Sequence, residues 1–97
     1  MSTSSFLPAL PAFAAQRDTS FAVLEHDGLA LTLIEANTLD PRAPDERRFS
    51  LLLRGPAAPI LEQATYSLAH PVLETQAIFL VPVARDAGGA QYQAIFN

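Results

Sequence analysis

Hydrophobic and polar residues alternate along most of the chain after residue 18, which is the pattern of half-buried β-strands. The segments Thr19–Glu25 and Leu29–Leu33 both show this alternation, and His26-Asp27-Gly28 lies between them. Asp-Gly favours a tight turn whose two central residues have positive φ. The pattern therefore predicts that these two segments form an antiparallel hairpin.

The same alternation predicts four further strands. Before the first of them, the composition changes between Asn37 and Glu46 to the prolines and polar residues that are typical of a surface loop. The four strands are Arg47–Arg54, Thr65–His70, Thr75–Ala84 and Gln91–Asn97. Six short strands with turn signals between them are typical of a small sandwich or barrel. We therefore expect an all-β fold, a small antiparallel six-stranded barrel or sandwich.

Three residues or segments depart from simple alternation. The segment Thr75–Ala84 is apolar on both sides, which predicts a strand that is covered on both faces for much of its length. Pro82 has no N–H to donate, so we place it at the end of this strand or at an unpaired edge position. Leu52 interrupts the polar side of its strand, where it either packs under a loop or marks a contact surface.

Two segments carry signals for short helices. Ala57–Ala64 has Pro59 where the first turn of a helix tolerates it, so we expect one helical turn or a short helix there. The apolar segment Phe6–Ala15 is interpreted either as holding a short helix from Pro11 to Gln16 that closes one end of the sheet, or as an arm that docks on a partner. We treat residues 1–97 as one domain, with an N-terminal arm or helix at 1–17 and a β core at 18–97.

Composition and charge exclude several classes of protein. The apolar set makes up 49% of the 97 residues, which excludes a disordered tail, and the absence of cysteine excludes disulfides, thiolate zinc sites and a cysteine nucleophile. Ten acidic and six basic residues give a net charge of −4, the opposite of a nucleic-acid binder. The start of the chain lacks basic residues, and no apolar run approaches the roughly 20 residues of a membrane span. We therefore expect a cytoplasmic protein that binds neither nucleic acid nor membrane.

Four sequence blocks follow one another in the second half of the chain. They are Phe49–Pro56 (FSLLLRGP), Gln63–His70 (QATYSLAH), Phe79–Val83 (FLVPV) and Tyr92–Asn97 (YQAIFN). In this order they resemble the signatures of a family of small uncharacterised bacterial proteins. The resemblance implies a compact domain of unassigned function, with members encoded near genes for phage tail-collar-like proteins. It implies no catalytic residue.

The two histidines are the first candidates for chemistry. His26 lies between Glu25 and Asp27 at the tip of the predicted hairpin, where neighbouring side chains point to alternate sides, so we interpret it as part of an exposed turn. His70 precedes Pro71, and we expect it to hydrogen-bond a turn carbonyl, because no serine or carboxylate lies at a recognisable triad spacing. We predict no metal and no cofactor.

Arg54 is the strongest candidate for recognition. It ends a predicted strand just before Gly55, where the lack of a side chain lets another backbone approach, and a guanidinium can hold a carboxylate through two hydrogen bonds. Its partner is predicted to be internal, either Glu62 or the terminal carboxylate of Asn97, or else an anion on a partner. Tyr66 and His70 join Arg54 as candidate contacts to a partner or an anion.

Three functions fit these observations to different degrees. We expect a noncatalytic interaction or assembly module that binds an unidentified protein or itself, and the resemblance suggests an accessory role beside phage-tail-collar-like proteins. The apolar N-terminal segment and the strand around Phe79 support this expectation. The alternative is a β-barrel that binds a small ligand in its mouth. We do not expect an enzyme, which would require His70 and a carboxylate such as Glu74 to converge in a cleft.

Overall fold

A computed structural model describes residues 8–96 and contains, within this range, one short α-helix and six β-strands. The elements are α1 (Leu10–Ala14), β1 (Ser20–Val23), β2 (Ala30–Thr38), β3 (Phe49–Gly55), β4 (Ala64–His70), β5 (Glu74–Asp86) and β6 (Gly89–Phe96). Every pairing is antiparallel, and the order β1-β2-β3-β6-β5-β4 closes into a ring because β4 also pairs with β1. The expected all-β, six-stranded antiparallel fold is confirmed. Phe6 and Asn97, which the sequence assigned to the N-terminal segment and the last strand, lie outside the described residues.

The alternation of the sequence becomes the inside and the outside of this ring. On β1, for example, Phe21 and Val23 are buried while Ser20 and Ala22 are exposed. Inward side chains from all six strands fill one core together with side chains from α1 and the loops. The buried apolar residues are Phe13, Phe21, Val23, Leu29, Leu31, Leu33, Phe49, Leu51, Leu53, Leu61, Tyr66, Leu68, Leu73, Ile78, Leu80, Ala90, Tyr92 and Ala94.

The helix α1 closes one end of the barrel. Phe13 is fully buried, and its ring centroid lies 5.6 Å from those of both Phe49 and Phe96 and 6.4 Å from that of Phe21. The backbone N–H of Leu10 donates to the carbonyl of Glu46, which fixes the start of the helix. The structure thus shows a short N-terminal helix near the predicted position, packed on the chain's own sheet.

The strand β5 pairs with a different neighbour in each part of its length. It pairs with β4 from Glu74 to Leu80 and with β6 from Val81 to Asp86. Because β4 begins opposite Leu80, β5 beyond this point has a strand neighbour on one side only. Pro82 lies in that part, so its missing N–H leaves no gap in a two-sided ladder. Pro82 thus has the predicted edge position only on the side away from β6, because it is the register partner of Tyr92 and β5 continues to Asp86.

The prediction that β5 is covered on both faces is wrong. Ile78 and Leu80 are buried in the core, whereas Phe79 and Val83 are each 48% exposed. The physical reason is that the inner side of β5 faces the core and the outer side faces solvent in the structure of residues 8–96. Apolar residues on both sides of a strand therefore do not indicate two covering layers here.

Two local predictions also differ from the structure. Ala57–Ala64 contains no helix, because the backbone groups that a helix would pair internally bind tyrosine hydroxyls, with Leu61 donating its N–H to Tyr92 and Glu62 accepting from Tyr66. The predicted hairpin between β1 and β2 forms, but Asp27 does not have the positive φ expected of it, and Gly28 alone does, at 80°. The connection runs from Leu24 to Leu29, and a turn of this length does not need two left-handed residues.

Candidate functional site

Arg54 lies on the outside of the barrel near the end of β3. Its guanidinium donates one hydrogen bond to the carboxylate of Asp86, with Nη2 and Oδ1 3.2 Å apart, and the same oxygen accepts the backbone N–H of Gly88 at 2.8 Å. The side chains of Arg54 and Asp86 are 35% and 65% exposed. Glu62, one of the two predicted internal partners, makes no ion pair with Arg54, and the other, Asn97, lies outside the described residues. Asp86 reaches Arg54 because the hairpin between β5 and β6 extends alongside the end of β3, where Gly55 pairs with Ala90.

Tyr66 points into the barrel from β4. Its hydroxyl donates to the carbonyl oxygen of Glu62 at 2.7 Å, which ties the loop before β4 to the strand. Burial raises the pKa of Tyr66 above its ordinary value, because the phenolate would lose its hydration. The side chain stays neutral near pH 7, where it acts as a hydrogen-bond donor inside the fold.

His70 also points inward, at the other end of β4, and is only 6% exposed. Its Nδ1 accepts the backbone N–H groups of Val72 and Leu73 at 3.0 and 3.3 Å, and its Nε2 lies 2.9 Å from the hydroxyl of Thr19. The backbone N–H groups of the turn thus donate hydrogen bonds to His70, whereas the sequence predicted a hydrogen bond from His70 to a turn carbonyl. Glu74 makes none of the hydrogen bonds to the ring.

The structure does not bring the three predicted contact residues together. Tyr66 and His70 lie on the inner side of β4, and Arg54 lies on the outer side of β3. His26 lies in the exposed turn between β1 and β2, as predicted from its neighbours. Among residues 8–96 no group of three or more His, Asp or Glu side chains is placed to hold a metal ion.

Glu25 has a structural role that sequence reasoning missed. Its carboxylate accepts the backbone N–H of Ser67 at 2.9 Å and the Ser67 hydroxyl at 2.9 Å. These bonds extend the seam between β1 and β4 past the last residue of β1. The backbone hydrogen bond from Ser67 is the main cause that lowers the pKa of Glu25 below its ordinary value.

A group of large apolar side chains lies on the outer surface of β3, β6 and β5. Val81, Gln93 and Leu52 are register partners in one row across the three strands. Phe79 lies two residues before Val81 on β5, and Ile95 lies two residues after Gln93 on β6. Because the two strands are antiparallel, both side chains flank the row on the same side, and they are 48% and 46% exposed. We call the outward side chains of Leu52, Phe79, Val81 and Ile95 the apolar face. The sequence signals for it were present in the doubly apolar strand and in the irregular Leu52.

Charged residues border the apolar face. Glu35 on β2 is the register partner of Leu52, and Arg54 follows two residues after Leu52 on the same side of β3. The outward positions of β1 and β4, in contrast, hold only small or polar residues: Ser20, Ala22, Thr65, Ser67 and Ala69. Large apolar side chains are therefore not a general requirement for the outside of this barrel.

The surface also contains open grooves between loops. One of about 800 Å³ is lined by Ala9 and residues 43–48, whose charged side chains have both signs. Two smaller grooves lie beside the turn between β1 and β2. All three are open at the surface, and the inward side chains of the six strands form the core. As for membranes, no helix within residues 8–96 has the length and apolar character that a bilayer crossing needs.

The fold and the surface together define a class of protein, a small antiparallel β-barrel with a filled interior and an apolar patch on one outer face. The chain belongs to the family described as Domain of unknown function (DUF6916), whose sequence model matches residues 8–96. No curated protein and no solved structure matches the sequence. The resemblance to an uncharacterised family is therefore confirmed at the level of the family.

Proposed function

We propose that the protein is a noncatalytic module that binds another protein through the apolar face. The observation that carries the proposal is the exposure of Phe79 and Ile95 beside Val81 and Leu52 on the outside of the barrel. Leaving apolar surface in water costs about 25 cal/mol per Å² relative to burying it. A partner that covers these side chains recovers this free energy.

The arrangement of charge around the apolar face indicates the chemistry of the partner. Interfaces between proteins commonly have an apolar centre that is depleted of charge and a polar rim. Here Glu35 and Arg54 supply such a rim, and the apolar face itself carries no charge. The matching centre of the partner is therefore expected to be apolar and uncharged. Arg54 remains a candidate for a rim contact, because its guanidinium makes a single hydrogen bond to Asp86, whose side chain is exposed.

The apolar face is too small to form a stable interface without the residues around it. A stable interface buries about 800 Å² on each partner, more than four partly exposed side chains supply. We therefore expect the polar residues around the face to contribute. An accessory role beside phage-tail-collar-like proteins and a cytoplasmic location are part of this proposal. The absence of cysteine is compatible with that location.

Site-specific photo-crosslinking in the cell of origin tests the proposal. A benzophenone amino acid at position 79 is expected to capture one protein that is not captured from Ala22, which is exposed on the opposite outer surface. Adding Ile95→Lys to the position-79 chain is expected to abolish the crosslink. Equal capture from both positions, or no capture from either, would contradict the proposal.

Binding to the purified captured protein gives the quantitative test. Phe79→Ser is expected to weaken binding at least about tenfold, or about 1.4 kcal/mol. Leu24→Ser is the matched control, because Leu24 is 58% exposed but lies in the turn after β1, away from the apolar face. Equal weakening by both variants would show that general surface hydrophobicity, and not this face, drives binding. Capture of a second copy of the chain would identify self-association as the interaction.

A further inference from the structure

His70 connects two segments that meet at the end of the barrel closed by α1. Its Nδ1 accepts the N–H groups of Val72 and Leu73 in the turn between β4 and β5. Its Nε2 contacts the hydroxyl of Thr19, and this hydroxyl lies 2.6 Å from the carbonyl oxygen of Gln16. Gln16 and Thr19 belong to the connection between α1 and β1. One imidazole thus links the N-terminal connection to the turn between β4 and β5, with Thr19 and His70 51 residues apart in sequence.

The partners determine which ring nitrogen carries hydrogen. Backbone N–H groups can only donate, so Nδ1 must be the unprotonated, accepting nitrogen. The hydrogen is then on Nε2, which donates to the Thr19 hydroxyl, and that hydroxyl donates to the carbonyl of Gln16. This directional chain of hydrogen bonds requires a neutral ring. A second proton has only Nδ1 as its site.

Protonation at Nδ1 would direct three N–H donors at one another, those of the ring, Val72 and Leu73. The ring is buried, so it has to rotate or the turn has to move. Rotation also breaks the bond between Nε2 and Thr19. We propose that His70 is an acid-sensitive latch, whose protonation at Nδ1 releases the Pro71–Leu73 turn and the Gln16–Thr19 connection from each other while the strands remain paired.

The groups around the ring do not offer the proton a compensating charge. The charged residues next to the partners of His70 in sequence are Arg17 and Asp18, before Thr19 in the N-terminal connection, and Glu74, the register partner of His70 on β5. None forms an ion pair with the ring in the described part of the chain, and the facing residue of β1 is Phe21, with ring centroids 4.5 Å apart. Burial lowers the pKa of His70 below its ordinary value of 6.5.

The coupling between proton binding and opening of the latch fixes how the population of the open state changes with pH, and by how much. Because the pKa is lowered in the closed state, the open state takes up the proton first as the pH falls below about 6.5. The population of the open state then rises by at most about tenfold per pH unit, the limit for one proton, and levels off below the pKa of the closed state. Above about pH 7 the latch is closed and insensitive to pH.

Nuclear magnetic resonance on the intact chain tests the latch. At pH 7.5 the ring nitrogen shifts of His70 are expected to show a neutral ring with hydrogen on Nε2. Between pH 7 and pH 5 the protection of the Val72 and Leu73 amides, corrected for intrinsic exchange, is expected to fall by up to about tenfold per pH unit. The Leu53 and Tyr92 amides, in the core strands, are expected to change less than about twofold over the same range.

Two variants assign the effect to His70. His70→Asn keeps an acceptor for the Val72 amide, as in turns that asparagine caps, and is expected to abolish the pH dependence of the turn. His26→Gln removes the exposed histidine and is expected to leave it unchanged. A neutral ring with hydrogen on Nδ1, or loss of protection in the core strands at the same pH as in the turn, overturns the proposal. Both of these readouts come from the unmodified protein, so they hold even if His70→Asn fails to fold.

Discussion

Replacing Tyr92 with phenylalanine tests how much of the fold depends on one buried hydrogen bond. Tyr92 is fully buried on β6, and its hydroxyl accepts the backbone N–H of Leu61 at 2.9 Å. Leu61 is also buried, in the loop between β3 and β4 that the sequence predicted as helical. The substitution removes a single oxygen and leaves the aromatic packing of the ring in place.

The expected loss follows from the burial of both partners. Without the hydroxyl, the Leu61 N–H is a buried donor with no partner, and such a group costs about 1–3 kcal/mol. We therefore expect Tyr92→Phe to lower the free energy of unfolding by about 2 kcal/mol. Tyr66→Phe is the matched control, because the carbonyl that accepts from Tyr66 belongs to exposed Glu62 and can bind water instead. Its expected cost is about 0.5–1 kcal/mol.

Urea unfolding of the wild type and the two variants measures these differences. The midpoint is expected to fall in the order wild type, Tyr66→Phe, Tyr92→Phe, with the m-value unchanged. In thermal unfolding, about 2 kcal/mol corresponds to a decrease in Tm of about 8–16 °C for a domain of this size. A cost for Tyr92→Phe no larger than that for Tyr66→Phe would refute the reasoning, because it would mean that the Leu61 amide finds another partner or is not buried.

Three further outcomes are expected from other parts of the barrel. Phe13→Ala is expected to cost about 3–5 kcal/mol and Phe13→Leu less than about 1.5 kcal/mol in chemical unfolding, since α1 closes the barrel through this ring; equal costs would mean that the site collapses around alanine. Arg54→Ala is expected to cost less than about 1 kcal/mol in the same assay because its ion pair with Asp86 is exposed, and a larger loss would show that Arg54 is structural. Glu25→Gln is expected to be less stable than wild type above pH 4.5, because glutamine lacks the charge that Ser67 stabilises. The difference in stability is expected to shrink as the pH falls through the lowered pKa of Glu25, where the wild type loses this charge as well. A difference independent of pH would contradict this.

The strands could be predicted because each has one buried face. On β1 and β3 the buried residues fall at every second position, so local alternation was enough to locate them. The loop between β3 and β4 could not be predicted in this way. Its conformation depends on the hydroxyls of Tyr66 and Tyr92, and Tyr92 lies 31 residues from its partner in sequence.

The partners of the candidate site residues were unpredictable for the same reason. Arg54 pairs with Asp86 because the hairpin between β5 and β6 reaches past the end of β3. His70 is satisfied by Thr19 only because the ring of strands closes between β1 and β4. Both contacts follow from the order of strands, and a single sequence contains no local signal for that order.

The error about β5 has a different origin and carries more information. Alternation predicts which side chains of a strand are apolar and tend to be buried. A strand with apolar residues on both sides has the same sequence whether its second side is buried by its own chain or by another molecule. In the structure, the inner cover is the core around Ile78 and Leu80, whereas Phe79 on the outer side faces solvent. The outer surfaces of β1 and β4 show that this barrel can be built with small and polar residues outside. Folding therefore accounts for the inner side of β5 but does not require the large apolar residues on its outer side. The proposed binding would account for them, and for this reason Phe79 is the first residue to test.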